Sequence, residues 1–159
     1  MIRDAKFSDV PRIAEILENA HRDSIYADRA AFDAKEAKAL TVQALQRHGH
    51  KTAGGSLVLV AEKDGVVEGF IIGCLERVYH VLDKFLATDM WFFCTKKADA
   101  RDPLRLLKAF VAWAESHPKV ITIRMGITNA MGDDWRRAGK LYQRAGFVEA
   151  GAMYERQVR

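Results

Sequence analysis

Residues 56–75 read SLVLVAEKDGVVEGFIIGCL, two apolar runs joined by Asp64-Gly65. Runs rich in Val, Leu and Ile favour β-strands, and Asp-Gly between such runs is a strong indication of a two-residue hairpin turn. Gly69 and Gly73 interrupt the second run, and a glycine inside a strand indicates a bulge or the close approach of another group. The sequence therefore predicts an antiparallel β-hairpin at its centre.

Strand and helix patterns alternate on both sides of this hairpin. Strands are predicted near residues 1–6, 56–63, 66–75, 85–95, 120–125, 147–149 and 153–158, helices near 9–21, 30–47, 102–116 and 135–145, and a loop over 129–134. The apolar run 90–94 is typical of a central strand covered on both faces. The strand–helix–strand unit over 86–125 implies a right-handed parallel crossover. These elements predict an α/β fold, a mixed, twisted sheet of six or seven strands with helices on both faces.

The composition is that of one globular domain spanning residues 1–159. Hydrophobic residues make up 49% and charged residues 29% of the chain, which excludes a disordered protein. No apolar run approaches the ~18 residues of a membrane span, and the N-terminus lacks a signal-peptide core. Two cysteines are too few for a disulfide scaffold, so we expect reduced thiols and a cytoplasmic location.

Positive charge is concentrated towards the C-terminus. The net charge is +4 overall, −2 over residues 1–95 and +6 over residues 96–159. Either this asymmetry only supports solubility, or the C-terminal part binds a polyanion. A phosphate-rich cofactor would satisfy the second interpretation, and a nucleic acid is the competing ligand.

Three local strings, in this order and within this pattern of elements, carry a family resemblance. They are the N-terminal Ile2–Ala5 with Ser8–Pro11, the hairpin Glu62–Phe70, and Gly139–Phe147, which reads GKLYQRAGF. The last string is similar to the Leu-Tyr-x-x-x-Gly-Phe signature of the GNAT acetyltransferase superfamily. The resemblance covers nearly the whole chain and implies the GNAT fold.

The resemblance also implies where acetyl-CoA would bind. In this family the fourth strand splays from the fifth, and the pantetheine arm lies along the exposed strand edge, which here would be Phe93, Cys94 and Thr95. The pyrophosphate would then meet the loop and helix start that follow, at Arg101, Asp102, Leu104 and Arg105. Backbone N–H groups and the helix dipole suit a phosphate at such a helix start.

The pyrophosphate loop departs from the family pattern. The family's two glycines are missing from the best-matching segment, Ala98–Pro103, and Pro103 removes one N–H donor. Asp102, predicted as the N-cap before Pro103, would itself use N–H groups that a phosphate needs. We expect Arg101 and Arg105 to take over part of the phosphate recognition through their side chains.

The remaining candidates concern the acyl transfer itself. Tyr142 matches the family tyrosine that protonates the leaving thiolate, although a packing role is the alternative. Asp89, Glu76 and His80 are candidates for a general base, or surface groups if water serves instead. Cys94 is a possible nucleophile but is more typical of a core residue. His48 and His50 lack further ligands, and no metal site is predicted.

Two functions from different classes remain open. The first is an N-acetyltransferase that moves an acetyl group from acetyl-CoA to a primary amine by direct attack in a ternary complex. The second is a GNAT-like binding module with weakened catalysis, whose basic C-terminal face binds a protein or nucleic acid. No nucleic-acid-binding motif is present, which argues against direct DNA or RNA recognition. No membrane partner is expected, and a homodimer is left open.

Overall fold

The structure is a computed structural model that describes residues 1–131 and 135–158. Five strands form one sheet in the order β1-β2-β3-β4-β5, antiparallel except for the parallel pair β4–β5. The strands are β1 (Ile2–Asp4), β2 (Ser56–Lys63), β3 (Val66–Arg77), β4 (Phe85–Cys94) and β5 (Val120–Arg124). The helices are α1 (Val10–Arg22), α2 (Ala34–Gln46), α3 (Asp102–Glu115) and α4 (Trp135–Arg144). The predicted mixed sheet with its crossover is confirmed.

The β2–β3 hairpin is the predicted one. Asp64 and Gly65 both have left-handed backbones, with φ of 52° and 78°, as a tight turn of the type I′ kind requires. The pairing register slips between Ala61 and Glu62, which places a bulge beside Gly69. A Cβ atom on Gly69 would lie 2.6 Å from the sulfur of Cys94, so the predicted close approach is confirmed as well.

The hairpin is buried on both faces because helices cover each side of the sheet. Alternate hairpin residues pack against α1 and α2 on one face, including Val58, Phe70 and Ile72. The residues between them pack against α3 on the other face, including Leu59 and Ile71. This double coverage explains why the hairpin sequence is continuously apolar instead of alternating.

The predicted count of six or seven strands is not reached in the described residues. Residues 147–149 and 153–158 were expected to be strands, but no β-pairing is present there. Every residue from 148 to 158 is exposed, with Tyr154 at 94%. A segment in which apolar and polar residues alternate forms a strand only where its apolar side is buried. Of residues 147–158, only Phe147 packs against the core. The predicted loop over 129–134 includes a 3₁₀ turn at Asn129–Met131 and otherwise lies outside the described residues.

The end of β4 is also less buried than predicted. Residues 91–94 are half-buried instead of covered on both faces, and Met90 is exposed. The reason is that β5 does not pair with this half of β4.

None of the helices in the described residues combines the length and apolar character that a membrane crossing needs.

Gly73 is required by the packing of α3 on the sheet. A Cβ atom at this position would lie 2.2 Å from the ring of Phe110, which is fully buried. We expect Gly73→Ala to lower the free energy of unfolding by about 1–3 kcal/mol, because the ring must be displaced within a filled core. Urea denaturation followed by circular dichroism measures this change.

The matched control for this prediction is Gly126→Ala, since no atom lies within 4 Å of an added Cβ there. That variant should change stability by less than about 0.5 kcal/mol. Phe110→Leu combined with Gly73→Ala should cost less than the two single changes together. A Gly73→Ala protein as stable as the parent would contradict the packing argument.

Candidate active site

The site is built around the point where β4 and β5 separate. The two strands pair only from Phe85 with Val120 to Thr88 with Arg124. Beyond Thr88, Asp89 and residues 91–94 of β4 remain paired with β3, but this half of β4 has no partner strand on its other side within the described residues. The ladder between β4 and β5 therefore ends before β4 does, as the predicted opening between these strands requires. Free N–H and C=O groups along such an edge can bind an extended ligand as an added strand would.

A β-bulge lies where the strands separate. Ile72 pairs with Trp91 and Gly73 pairs with Asp89, so Met90 has no counterpart on β3. A bulge locally increases the twist of a strand and changes the direction of its side chains. Here it divides the paired half of β4 from the half that borders the opening.

Tyr142 lies on α4, is half-buried and packs against the core on the α3 face of the sheet, as Phe92 and Cys94 of β4 do. Its ring packs 5.8 Å from the ring of Phe147, between centroids. Burial, with a smaller contribution from the negative charge of Asp89, raises the pKa of the phenol above its usual range. Tyr142 is therefore a protonated hydrogen-bond donor throughout the neutral pH range.

Asp89 is the candidate base that lies nearest to Tyr142. Burial raises the pKa of its carboxyl, although the backbone N–H groups of Asp89 and Gly126 partly oppose that rise. The other two candidates, Glu76 and His80, lie elsewhere, in a cavity beside α2. The structure thus separates the three sequence-predicted bases into two groups.

Cys94 packs over Gly69 at the end of β4. Burial, reinforced by the charge of Asp102, raises the pKa of its thiol to about 12. Burial likewise raises the pKa of Cys74 to about 11. Neither thiol is activated as a nucleophile, because activation requires a lowered pKa.

Thr95 marks the start of the loop that leads to α3, and a buried carboxylate holds it in place. The backbone N–H of Thr95 donates to the carbonyl oxygen of Glu68 at 2.8 Å, and the Thr95 hydroxyl donates to the Glu68 carboxylate. The guanidinium of Arg12 donates to that same carboxylate at 3.1 Å. These bonds tie the loop start to β3 and to α1.

Most donors of the loop are already used within it. The N–H groups of Lys97 and Arg101 donate to the side chains of Thr95 and Asp99, at 3.2 and 2.9 Å. The N–H groups of Ala98 and Asp102 donate to loop carbonyl oxygens. Few backbone donors of this segment are therefore directed outwards towards an anion.

The predicted N-capping role of Asp102 is wrong. Arg101 occupies the N-cap position, and Asp102 is the first residue of α3, 1% exposed. Its carboxylate accepts a hydrogen bond from Arg105 at 3.2 Å. The displacement has a local cause, because Asp99 accepts the N–H of Arg101 one turn earlier and starts the turn that leads into the helix.

The other predicted cofactor residues are distributed around this loop. Phe93 directs its ring into the core on the α1–α2 face, 6.2 Å from the ring of Phe70 between centroids. Any contact that Phe93 makes with a ligand in the opening therefore comes from its backbone. Leu104 is half-buried in the first turn of α3, and the Arg101 side chain is exposed.

A cavity of about 400 Å³ lies on the α1–α2 face of the sheet, between α2 and β3. Glu76 and His80 line it together with Arg47, Arg77 and Met90, the bulged residue of β4. Sequence reasoning missed both arginines, because they are thirty positions apart and belong to no motif. Only the turn after α2 and the end of β3 bring them together.

The histidines of the loop after α2 serve the fold. The Nδ1 atom of His48 accepts the N–H of Val58 at 3.0 Å, so His48 connects the loop to β2. Across residues 1–131 and 135–158, no group of three or more His, Cys, Asp or Glu side chains is arranged to hold a metal ion.

Comparisons with known proteins bear on the fold. No family model matches the sequence, and no curated protein matches it either. Three similar solved structures illustrate the likeness. Glucosamine-6-phosphate N-acetyltransferase from Arabidopsis thaliana is 9% identical, with a TM-score of 0.69 over 100% of this chain and 98% of that one. A possible acetyltransferase from Clostridium difficile 630 is 16% identical, with a TM-score of 0.68 over 100% and 97%.

The third structure is a transcriptional regulator from Bacillus halodurans C-125, 14% identical, with a TM-score of 0.70 over 99% of both chains. The likeness extends over whole chains in all three cases, although sequence identity is low. The element order, the separation of β4 from β5 and these likenesses agree, and the chain has the fold of the GNAT acetyltransferases.

Proposed function

We propose that this protein is an N-acetyltransferase that moves an acetyl group from acetyl-CoA to a primary amine. The observation that carries this proposal is the unpaired edge of β4 beside a protonated, half-buried Tyr142. An acyl-pantetheine chain can bind along such an edge with its thioester near the phenol. The fold, shared with acetyltransferases, supports the same conclusion.

The residues fit the two ends of acetyl-CoA differently. The edge of β4 at Phe93 and Cys94 offers a strand edge for the pantetheine arm, whereas both backbone groups of Thr95 are already hydrogen-bonded, to Glu68 and to Ala98. At the pyrophosphate end most backbone donors are used internally, so the side chains of Arg101 and Arg105 supply the positive charge. Arg105 is partly neutralised by Asp102, and we therefore expect only moderate affinity for the cofactor.

The reaction is a direct transfer. The neutral amine of the acceptor attacks the thioester carbonyl carbon, the new C–N bond forms, and the C–S bond breaks. Tyr142 donates its phenolic proton to the departing sulfur. The excess proton of the acceptor passes to Glu76, His80 or water on the acceptor side.

The raised pKa of Tyr142 is compatible with this role because the leaving thiolate is in the same environment. An ordinary thiol has a pKa of about 8.5. Cys94 borders the same opening, and burial raises the pKa of its thiol to about 12. A CoA thiolate released there is similarly destabilised, so proton transfer from the phenol is less unfavourable than ordinary pKa values suggest.

A second candidate function rests on the loop. The buried carboxylate of Asp102 and the occupied N–H groups of Lys97, Ala98, Arg101 and Asp102 oppose a bound pyrophosphate. If the cofactor is not bound, the chain is a binding module that uses its basic C-terminal face. Cofactor titration separates these two functions.

The first test is titration calorimetry with acetyl-CoA and with CoA, at low and at high salt. Because exposed charges are screened over about 8 Å at physiological ionic strength, we expect the Kd to increase at least threefold or so with salt. Arg101→Ala combined with Arg105→Ala should weaken binding by about tenfold or more.

Two control variants accompany this test. Arg105→Lys retains a positive charge near Asp102, and Arg156→Ala removes a charge from the exposed C-terminal segment. Cofactor binding by the double variant that equals that of the parent would contradict the role of the two arginines. A parent protein that does not bind CoA at low salt would support the binding module.

Tyr142→Phe tests the general acid. We expect kcat to fall by about 10²–10⁴-fold, while the Kd for CoA changes by less than about threefold. Tyr154→Phe is the matched control, because Tyr154 is exposed on the C-terminal segment and should leave kcat unchanged. An unchanged kcat in Tyr142→Phe would return Tyr142 to a packing role.

Direct transfer also predicts that no cysteine carries the acetyl group. At pH 8 a thiol with a pKa of about 12 is ionised to roughly one part in ten thousand, so Cys94 should resist iodoacetamide in the folded protein. Its labelling should become fast in urea. Intact-mass spectrometry after incubation with acetyl-CoA alone should find no acetyl adduct, and an adduct at Cys94 would contradict direct transfer.

A further inference from the structure

The cavity beside α2 combines an apolar floor with a charged rim. Leu40 and Ala44 of α2 and Ile72 and Leu75 of β3 contribute apolar surface. Polar groups from three separate segments line the cavity as well. The bulged Met90 also lines it, so the cavity lies next to the point where β4 and β5 separate. The cavity therefore adjoins the reacting region from the face opposite Tyr142.

Arg47 is held at the rim by the loop that follows α2. Its carbonyl oxygen accepts the N–H of Ser56 at 3.0 Å. The loop in turn is connected to β3, since the N–H of Gly54 donates to Leu75 at 2.8 Å and the N–H of Leu75 donates to Gly55 at 2.9 Å. A Cβ atom on Gly54 would lie 2.8 Å from a guanidinium nitrogen of Arg47, so this side chain lies over the glycine.

Arg77 reaches the same cavity from the end of β3. Arg3, Arg12, Arg22 and Arg105 each form an ion pair with a carboxylate. Within the described part of the chain, neither Arg47 nor Arg77 has such an ion pair. One cavity is thus lined by two guanidinium groups without an ion pair, and guanidinium is the side chain that binds carboxylate and phosphate in bidentate geometry.

The positive surface continues past Arg77 into a neighbouring hollow. This hollow is lined by Lys51, Arg77, His117 and Lys119, among others, and none of its lining residues is acidic. His117 is buried and both of its ring nitrogens bond to the backbone, at Lys51 and at Lys119. The two lysines and Arg77 therefore supply the charge there.

The first cavity is also lined by a carboxylate and an imidazole. Glu76 is half-buried on β3, and His80 follows in a turn where both Tyr79 and His80 have left-handed backbones. These two groups suit the amine of a ligand, as a carboxylate attracts an ammonium and an imidazole accepts its proton. One cavity thus holds complementary groups for an acid and for an amine.

We propose that this cavity binds a primary amine that also carries a carboxylate or phosphate, and that Arg47 and Arg77 hold the acidic group. The amine then lies towards Glu76 and His80, in the same cavity, which Met90 connects to the strand opening. That this ligand is the acetyl acceptor rests on the proposed function, whereas the binding of the acid depends only on the cavity.

Matched pairs of amines test the proposal. Histidine is compared with histamine, and O-phosphoethanolamine with ethanolamine, since each pair differs by one acidic group. In both steady-state acetylation and calorimetric binding without cofactor, we expect the member with the acid to be favoured at least tenfold or so. The two pairs distinguish a carboxylate from a phosphate.

The arginine variants assign the effect to the cavity. Arg47→Ala and Arg77→Ala should each raise the KM and Kd of the favoured acid at least about fivefold. They should leave the affinity for the plain amine and the KM for acetyl-CoA within about twofold. Arg47→Lys and Arg77→Lys should recover part of the loss, and Arg156→Ala controls for net charge.

The outcomes separate this inference from the proposed function. Arginine-dependent binding of the acid-bearing amine, without acetylation of any amine, would support the cavity and overturn the transferase. Equal use of both members of each pair, unaffected by the arginine variants, would overturn the cavity and leave the transferase standing. Absence of binding of all four amines would also overturn the inference.

Discussion

The short parallel ladder between β4 and β5 is the constraint on which the candidate site depends. Only the first half of β4 is paired with β5, and the second half keeps its antiparallel ladder with β3. Pairing with β3 therefore holds the second half of β4 in place, while the backbone groups on its other edge remain available to a ligand. Strand edges are usually covered or blocked, and an uncovered edge inside a fold indicates a binding surface.

The sheet divides the chemistry between its two faces. Tyr142 and Cys94 pack with the core beneath α3, whereas the cavity with Arg47 and Arg77 lies on the face of α1 and α2. The bulge at Met90 lies where β4 loses its pairing with β5, beside the strand opening. In the proposed reaction, the acyl donor and the acceptor would thus reach the strand opening from different sides of the sheet.

Charge is distributed differently in these two regions. Around the loop before α3, carboxylates are buried and paired, as with Glu68 beside Arg12 and Asp102 beside Arg105. Paired, hydrogen-bonded charges position the ends of elements but have little attraction left for a ligand. The cavity beside α2 has cations without such partners in the described residues, so its electrostatic potential favours an anion.

The sequence by itself determined the hairpin, the crossover and the helices, because these follow from local patterns. Asp64-Gly65 specifies its turn, and the Leu-Tyr-x-x-x-Gly-Phe string places Tyr142. Tertiary structure alone decided the rest. Residues 147–149 and 153–158 are predicted as strands yet form no β-pairing in the described residues, and Arg101, not Asp102, is the N-cap of α3. Arg47 and Arg77 meet only through the folded loop, since long-range contacts leave no local signal in a sequence.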